Sequence, residues 1–412
     1  MALSGAENLS PPAPVAYPAH LLPAGGLEKS AILQPGYRRW LDGLRGLAIL
    51  AVLAYHLNLV SGGFLGVDIF LVLSGFLITT LLAEEWQRCG SISLKRFYLR
   101  RALRLFPALL TLLLACGVIT LFRPADEAPV LRKEIVVAAC YVANWPALHH
   151  SAMPTLAHTW SLSLEEQFYV IWPLLLYGML RWRLGRGWIL ALVGVGIVTS
   201  ASLRTVLYRQ HPYPDPEWMA NVYRLYMGSD TRADALLVGC LVGLLSAWDW
   251  LLKSRRFIFC MGVGALVSAV VLGYMLLHSR HGQHQLYCGL LTVVALMVGV
   301  ILVRLLSAPS RLAAVVLEST VLVGIGRISY ALYLFHLPII SWLGPQPLGW
   351  SAPVATLLVT CLSFSAAVLS FYCVERPCLR LKQRLRVPDP IPPQRPAVSV
   401  RSGASNQSPM AA

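Results

Sequence analysis

LDGLRGLAILAVLAYHLNLV, residues 41–60, decides how this chain is read. It is long and apolar enough to cross a bilayer, which takes about 20 residues. Yet it carries Arg45 near one end and His56 near the other, eleven residues apart. Eleven steps of about 100° return to within roughly 20° of the start, so both side chains point to one side of a helix. Along the axis they are separated by about 16 Å. A cation at the centre of a spanning helix costs about 2.5–3.5 kcal/mol, so such residues face a polar interior rather than lipid. The stretch predicts a bundle of helices with polar groups turned inward.

Composition points the same way. Of 412 residues 57% are hydrophobic and only 13% charged, with a mean hydropathy of +0.63. Soluble domains hold about a quarter charged residues. The formal charge of +15 comes from Lys and Arg bunched between apolar runs. That is the pattern of cytoplasmic loops in a membrane protein, not of a basic face that binds nucleic acid. Nine cysteines, an odd number with no CxxC, indicate neither a disulfide framework nor a zinc site. HSRHGQH (278–284) reads as a solvated loop, and no metal is expected.

Apolar runs of spanning length lie at roughly 43–60, 64–83, 104–122, 166–184, 187–205, 235–252, 256–277, 286–304, 319–342 and 351–373. A shorter run, 134–148, is interrupted by Asn144 and Pro146. If it crossed, RWRLGR (181–186), KSRR (253–256) and RLKQRLR (380–386) would leave the side that holds Arg38 and Arg39. It is therefore expected to be re-entrant or interfacial. The predicted fold is all-α, a polytopic integral membrane bundle of about ten transmembrane helices in the cell membrane, both termini cytoplasmic. Residues 1–36 and 387–412, rich in Pro, Ala and Ser, read as disordered tails around a transmembrane domain at 37–386.

Other polar residues fall at matching depths. In GGFLGVDIFLVLSGFLITTLL a tight turn at Gly62 and Gly63 places Asp68 near the level of His56. A carboxylate there can fix the tautomer of an imidazole. In HTWSLSLEEQFYVIWP (158–173), Ser163 and Glu166 have capping-box spacing. That leaves Glu165 to enter an apolar helix with no capping duty. GSDTRADALLVG (228–239) presents Asp230, Arg232 and Asp234 at the outer entrance of a span, where a salt-bridged helix start explains them equally well. In GRISYALYLFHLP (326–338), Ser329 and His336 share a face and Tyr333 lies about 60° away.

In this order the motifs resemble the acyltransferase-3 family of integral membrane acyltransferases. The likeness covers about residues 37–380: Arg45 and His56 with ten residues between, GVDIFLVLSGFLIT, FYLRRALRLFP, WSLSLEEQFY, DTRADALLVG, ISYALYLFHLP and VERP. Leu71 stands where the family often has a second Phe, and Phe335 where Trp is frequent. The resemblance implies an O-acyltransferase that moves an acyl group, acetyl by default, from cytoplasmic acyl-CoA to a hydroxyl of a carbohydrate or macrolide-type metabolite. It implies no tightly bound cofactor. It also implies that Arg45 and His56 form an essential pair and that Glu165 is the glutamate of the third motif. Some relatives append an esterase-like domain that hands the acyl group onward; here direct transfer is expected.

Transfer from a thioester to an alcohol needs a base for the hydroxyl proton and stabilisation of the oxyanion. No GxSxG and no placed Cys–His pair supports a covalent relay through Ser or Cys. His56 is the expected base, oriented by Asp68 or Glu165. Arg45, with Arg100, Arg101 and Arg104, is expected to hold CoA phosphates. Arg232, Asp230, Tyr333 and His336 are expected on the acceptor side. The rival reading is a transporter in which His56, Asp68 and Glu165 relay protons, which broken helices and inverted repeats would favour. A membrane scaffold leaves the aligned polar groups unexplained.

Overall fold

The computed structural model describes residues 38–145, 153–210, 218–251, 254–308, 310–343 and 351–383. The two expected tails and residues 146–148 of the interrupted run lie outside the described residues. In chain order the helices are α1 (Arg39–His56), α2 (Gly66–Cys89), α3 (Leu94–Ile119), α4 (Ala128–Ala139) and α5 (Thr159–Arg181). Then come α6 (Arg186–Gln210), α7 (Trp218–Met227), α8 (Ser229–Ala247), α9 (Arg255–His278) and α10 (Leu291–Ser307). The last five are α11 (Arg311–Leu317), α12 (Thr320–Arg327), α13 (Ser329–Leu343), α14 (Ala352–Ser370) and α15 (Arg376–Gln383). Among the described residues there is no strand.

By length and apolarity six helical segments can cross a membrane: α3, α6 and α9, α2 and α10 each with the turn before it, and α14 with α15. The bent pair α12–α13 makes a seventh. Three of the ten expected spans are missing from that set, namely α1, α5 and α8. They are 18, 23 and 19 residues long, so length does not exclude them. Each instead carries charge: Asp42 and Arg45; Glu165 and Glu166; Asp230, Arg232 and Asp234. α4, at 12 residues, extends about 18 Å, short of the hydrocarbon thickness of about 30 Å.

Close packing of α2 on α8 sets the frame. A Cβ on Gly75 would collide with the Leu236 carbonyl of α8, and one on Gly239 with the Val72 carbonyl of α2. Small residues of this kind let spanning helices approach backbone to backbone. α6 runs along the other side of α8, α1 packs on α12, and α13 packs on α14. α1 stops at His56 as the chain turns through Asn58, whose φ is +58°.

Two boundaries differ from expectation. α5 begins at Thr159, not near 166, because Ser163 is not a cap. Its hydroxyl donates to the Thr159 carbonyl (3.0 Å) and accepts the Ala143 N–H (3.2 Å). The segment before α5 is held instead by Glu134 of α4, whose carboxylate accepts the Thr155 (3.0 Å) and Leu156 N–H groups. Burial pushes the Glu134 carboxyl up to about 7 against those two amides. The expected span 319–342 is broken: α12 and α13 meet at 69°.

Candidate active site

α1, α2, α3, α5 and α13 line a partly open cavity. Arg45 of α1 and Arg101 and Arg104 of α3 line one part of it. None of the three has an ion-pair partner among the described residues, and the buried Nε atoms of Arg45 and Arg101 have no hydrogen-bond partner there. Arg101 stacks 3.9 Å above the Tyr169 ring. Arg100 does not line the cavity with them but pairs with Glu85 at 3.3 Å. The three guanidiniums are half-buried, and among the described residues only the carboxyls of Glu165 and Glu375 lie within electrostatic reach of more than one of them, so an anion entering the cavity meets donors free to bind it.

Next to the arginines lies Glu165. Both of its carboxylate oxygens are occupied: Ser74 donates to Oε1 and the Tyr169 hydroxyl to Oε2, each at 2.9 Å. Val67, Phe70, Leu73 and Leu77 of α2 supply an apolar wall. Tyr333 closes the remaining part, its hydroxyl donating to the His158 carbonyl (2.8 Å) and meeting Ser161 Oγ at 2.6 Å.

Beyond Tyr333 sit three histidines. His56 Nδ1 lies 3.0 Å from the Val52 carbonyl and 3.3 Å from His336 Nε2. His336 Nδ1 lies 2.7 Å from the Tyr333 carbonyl. A carbonyl only accepts, so Nδ1 carries the proton in both rings. The Nε2 lone pair of His336 then accepts from His56, and His56 Nε2 is left as a lone pair free to take a proton. His158 donates from Nε2 to the Leu334 carbonyl (3.0 Å), and its ring packs 5.3 Å from that of His336.

This overturns the expected partners of His56. Asp68 is fully buried in an ion pair with Arg232 at 2.6 Å, and Glu165 is engaged by Ser74 and Tyr169. The imidazole neighbour is His336. Arg232 and Asp230 do not line the cavity; Asp230 pairs with Arg224 and accepts the Thr231 N–H (2.9 Å), a helix-start role. A buried second pair, Arg204 with Asp234 at 2.9 Å, flanks Asp68–Arg232. His281 is not solvated as expected: it packs 4.3 Å from the Tyr226 ring, and burial, with the Arg232 charge, lowers it to about 4. Sequence reasoning missed His158, Ser161, Tyr169 and Tyr330 as site residues. Each carried a signal: Ser161 and Tyr169 lie within WSLSLEEQFY, Tyr330 within ISYALYLFHLP, and His158 two residues ahead of Trp160.

A family model described as an acyltransferase domain matches residues 38–375. The chain belongs to this acyltransferase family. Its relatives include the peptidoglycan O-acetyltransferase OatA of Listeria monocytogenes, 36% identical over 357 residues, which are 82% of this chain and 55% of that protein. A putative O-acetyltransferase of Staphylococcus aureus strain MSSA476 is 33% identical over 364 residues, 83% of this chain and 57% of the relative. The O-acetyltransferase OatA of Staphylococcus aureus strain NCTC 8325 is 31% identical over 363 residues, 85% and 58%. This acyltransferase-family chain thus spans a little over half the length of these relatives. No solved structure matches it.

Proposed function

We propose that the chain transfers an acyl group, acetyl by default, from acyl-CoA to a hydroxyl of a glycan. The observation that carries this reading is one cavity that joins Glu165 and Tyr333 to three arginines without a salt bridge among the described residues; His336, packed on Tyr333, links its wall to His56, whose Nε2 is free. The donor phosphates sit among Arg45, Arg101 and Arg104, where bidentate guanidinium contacts suit them. The pantetheine arm follows the apolar wall of α2 outward. At the far end His56 Nε2 takes the proton of the acceptor hydroxyl, the oxygen attacks the thioester carbonyl, and the carbon–sulfur bond breaks. The departing thiolate takes the proton from the His56 imidazolium, leaving an ester and free CoA. The glycan acceptor follows the name of the Listeria relative; a macrolide-type acceptor gains no support from the relatives reported above. Membership of an acyltransferase family also disfavours the transporter reading.

Incubating membranes that hold the full chain with labelled acetyl-CoA and glycan acceptors tests this. Free CoA should appear as the label moves to an acceptor hydroxyl; CoA release with no labelled ester, or no release at all, rejects it. Two variants probe the parts. Arg45→Ala should weaken acyl-CoA binding by about tenfold, the worth of a hydrogen-bonded charge contact, with acceptor affinity unchanged in parallel titrations. His336→Leu should lower kcat by about 100-fold by loosening the His56 ring, whose Nδ1–H is then held by the Val52 carbonyl alone. His336→Gln, whose amide oxygen still accepts from His56 Nδ1–H, should stay within about tenfold of wild type. Equal losses in the two His336 variants would rule out an orienting role.

A further inference from the structure

The break between α12 and α13 places the start of a 15-residue helix inside the bundle. Ser329, Tyr330 and Tyr333, from its first turns, line the cavity. The first amides of a helix lack partners within it and carry partial positive charge. In membrane proteins the ends of such half-helices face anionic groups of substrates. A second observation aims this end at a ligand. Ser329 is fully buried, lines the cavity, and its Oγ has no hydrogen-bond partner among the described residues.

Its depth follows from two anchors between α1 and the bent pair. At one end Gly326 packs on the Asp42 backbone and Arg327 approaches the Asp42 carboxylate at 3.9 Å. At the other, His336 meets His56. Seven residues separate Ser329 from His336, and eleven separate Arg45 from His56. At 1.5 Å per residue Ser329 therefore lies about 10 Å inward of the histidines and about 6 Å outward of Arg45. A group about 10 Å from the base is too far away to hold the oxyanion of a carbonyl attacked by a hydroxyl bonded to that base. It is well placed for an anion gripped by Arg45 and Arg101.

The geometry points to a diphosphate subsite at the break, in which the Ser329 hydroxyl and the first amides of α13 donate to phosphate oxygens that Arg45 and Arg101 neutralise. It rests on the reading that acyl-CoA is the donor, and assigns the coenzyme's diphosphate to this place. The bend then has a function: an unbroken helix would present neither its amides nor the serine to the cavity.

The test measures binding of CoA, inorganic pyrophosphate and pantetheine to the full chain in detergent, with thermal unfolding of each variant alongside. Ser329→Ala should weaken CoA and pyrophosphate by about tenfold, the worth of one hydrogen bond to a charged group, and leave pantetheine unaffected. Ser329→Asp puts a carboxylate at a helix N-terminus, where the dipole favours it. Its Tm should hold or rise while CoA and pyrophosphate binding fall by at least about 100-fold, since the carboxylate both occupies the site and repels phosphate. A serine needed only for its size predicts the opposite, a lower Tm for Ser329→Asp and unchanged CoA binding for Ser329→Ala; that result overturns the subsite. Wild-type protein that binds neither CoA nor pyrophosphate overturns it too. If pyrophosphate binding follows these expectations but no acyl-CoA is consumed, the subsite stands and the donor reading falls. If acyl-CoA is consumed and both variants bind CoA as wild type does, the donor reading stands and the subsite falls.

Discussion

A His56→Ala variant is expected to reach the membrane folded and to lose acyl transfer by at least about 10³-fold, the upper range for a general base. The fold should survive because His56 is the last residue of α1 and only partly buried. Its ring touches the carbonyl of its own helix at Val52 and the lone pair of His336, and no ion pair depends on it. The chemistry should fail because no other described group offers a free imidazole nitrogen in this arrangement. His336 has both nitrogens engaged, and the open Nδ1 of His158 is buried behind Tyr333. His56→Asn sharpens the experiment. Its amide N–H can still donate towards Val52 and His336, but it supplies no base, so both variants should be equally inactive at wild-type expression. The readout is free CoA released per milligram of immunodetected protein, with labelled ester counted on the acceptor. Transfer at the wild-type rate by either variant removes histidine from the mechanism.

Helical periodicity alone turns Arg45 and His56, eleven residues apart, to one side of α1, yet of the two only Arg45 lines the cavity. The same arithmetic put His336 on a face with Ser329, though it gave no clue that His336 rather than a carboxylate meets His56. Asp68 illustrates why. The sequence set its depth near that of His56, but depth does not choose between neighbours. The choice is made by Gly75 and Gly239, which bring α2 and α8 into backbone contact and close Asp68 onto Arg232. The start of α5 was misread for a related reason: no side chain caps it, and the segment before it is held by Glu134, over twenty residues away in sequence, whereas capping-box spacing looks only at local residues. The bend in α12–α13 had no proline to announce it, since Ile328 sits at the break and Pro338 lies within the following helix. Charge also hid as much as it revealed. The residues that make α1, α5 and α8 interesting are the ones that lower their apolarity below that of an ordinary span.

Asp68→Ala is expected to destabilise the folded protein by about 3–5 kcal/mol, the cost of stranding one partner of a buried ion pair. Arg232 is wholly buried, and its Nε and Nη1 already lack partners among the described residues. Asp68 is its only ion-pair partner there at 2.6 Å, with the Tyr226 ring beneath the guanidinium at 5.1 Å. Asp234 lies near, but its charge is shared with Arg204, and its Oδ2 holds both Arg204 and the Thr292 hydroxyl, so it offsets only part of the loss. Solvent offers no relief at that depth. A loss of this size is a large share of the 5–15 kcal/mol that holds a typical protein folded, so the variant should appear as reduced yield and a markedly lower melting temperature in detergent. The decisive companion is the double variant Asp68→Leu with Arg232→Met. Removing both charges removes the stranded cation, and apolar replacements of buried pairs are often neutral or better. Its melting temperature should return most of the way to wild type, whereas additive losses in the two single variants would mean that the residues do not act as a pair. Had Asp68 been the orienting partner of His56, the outcome would differ in kind. Asp68→Ala would then leave a stable protein with slow transfer, and altering Arg232 would restore nothing.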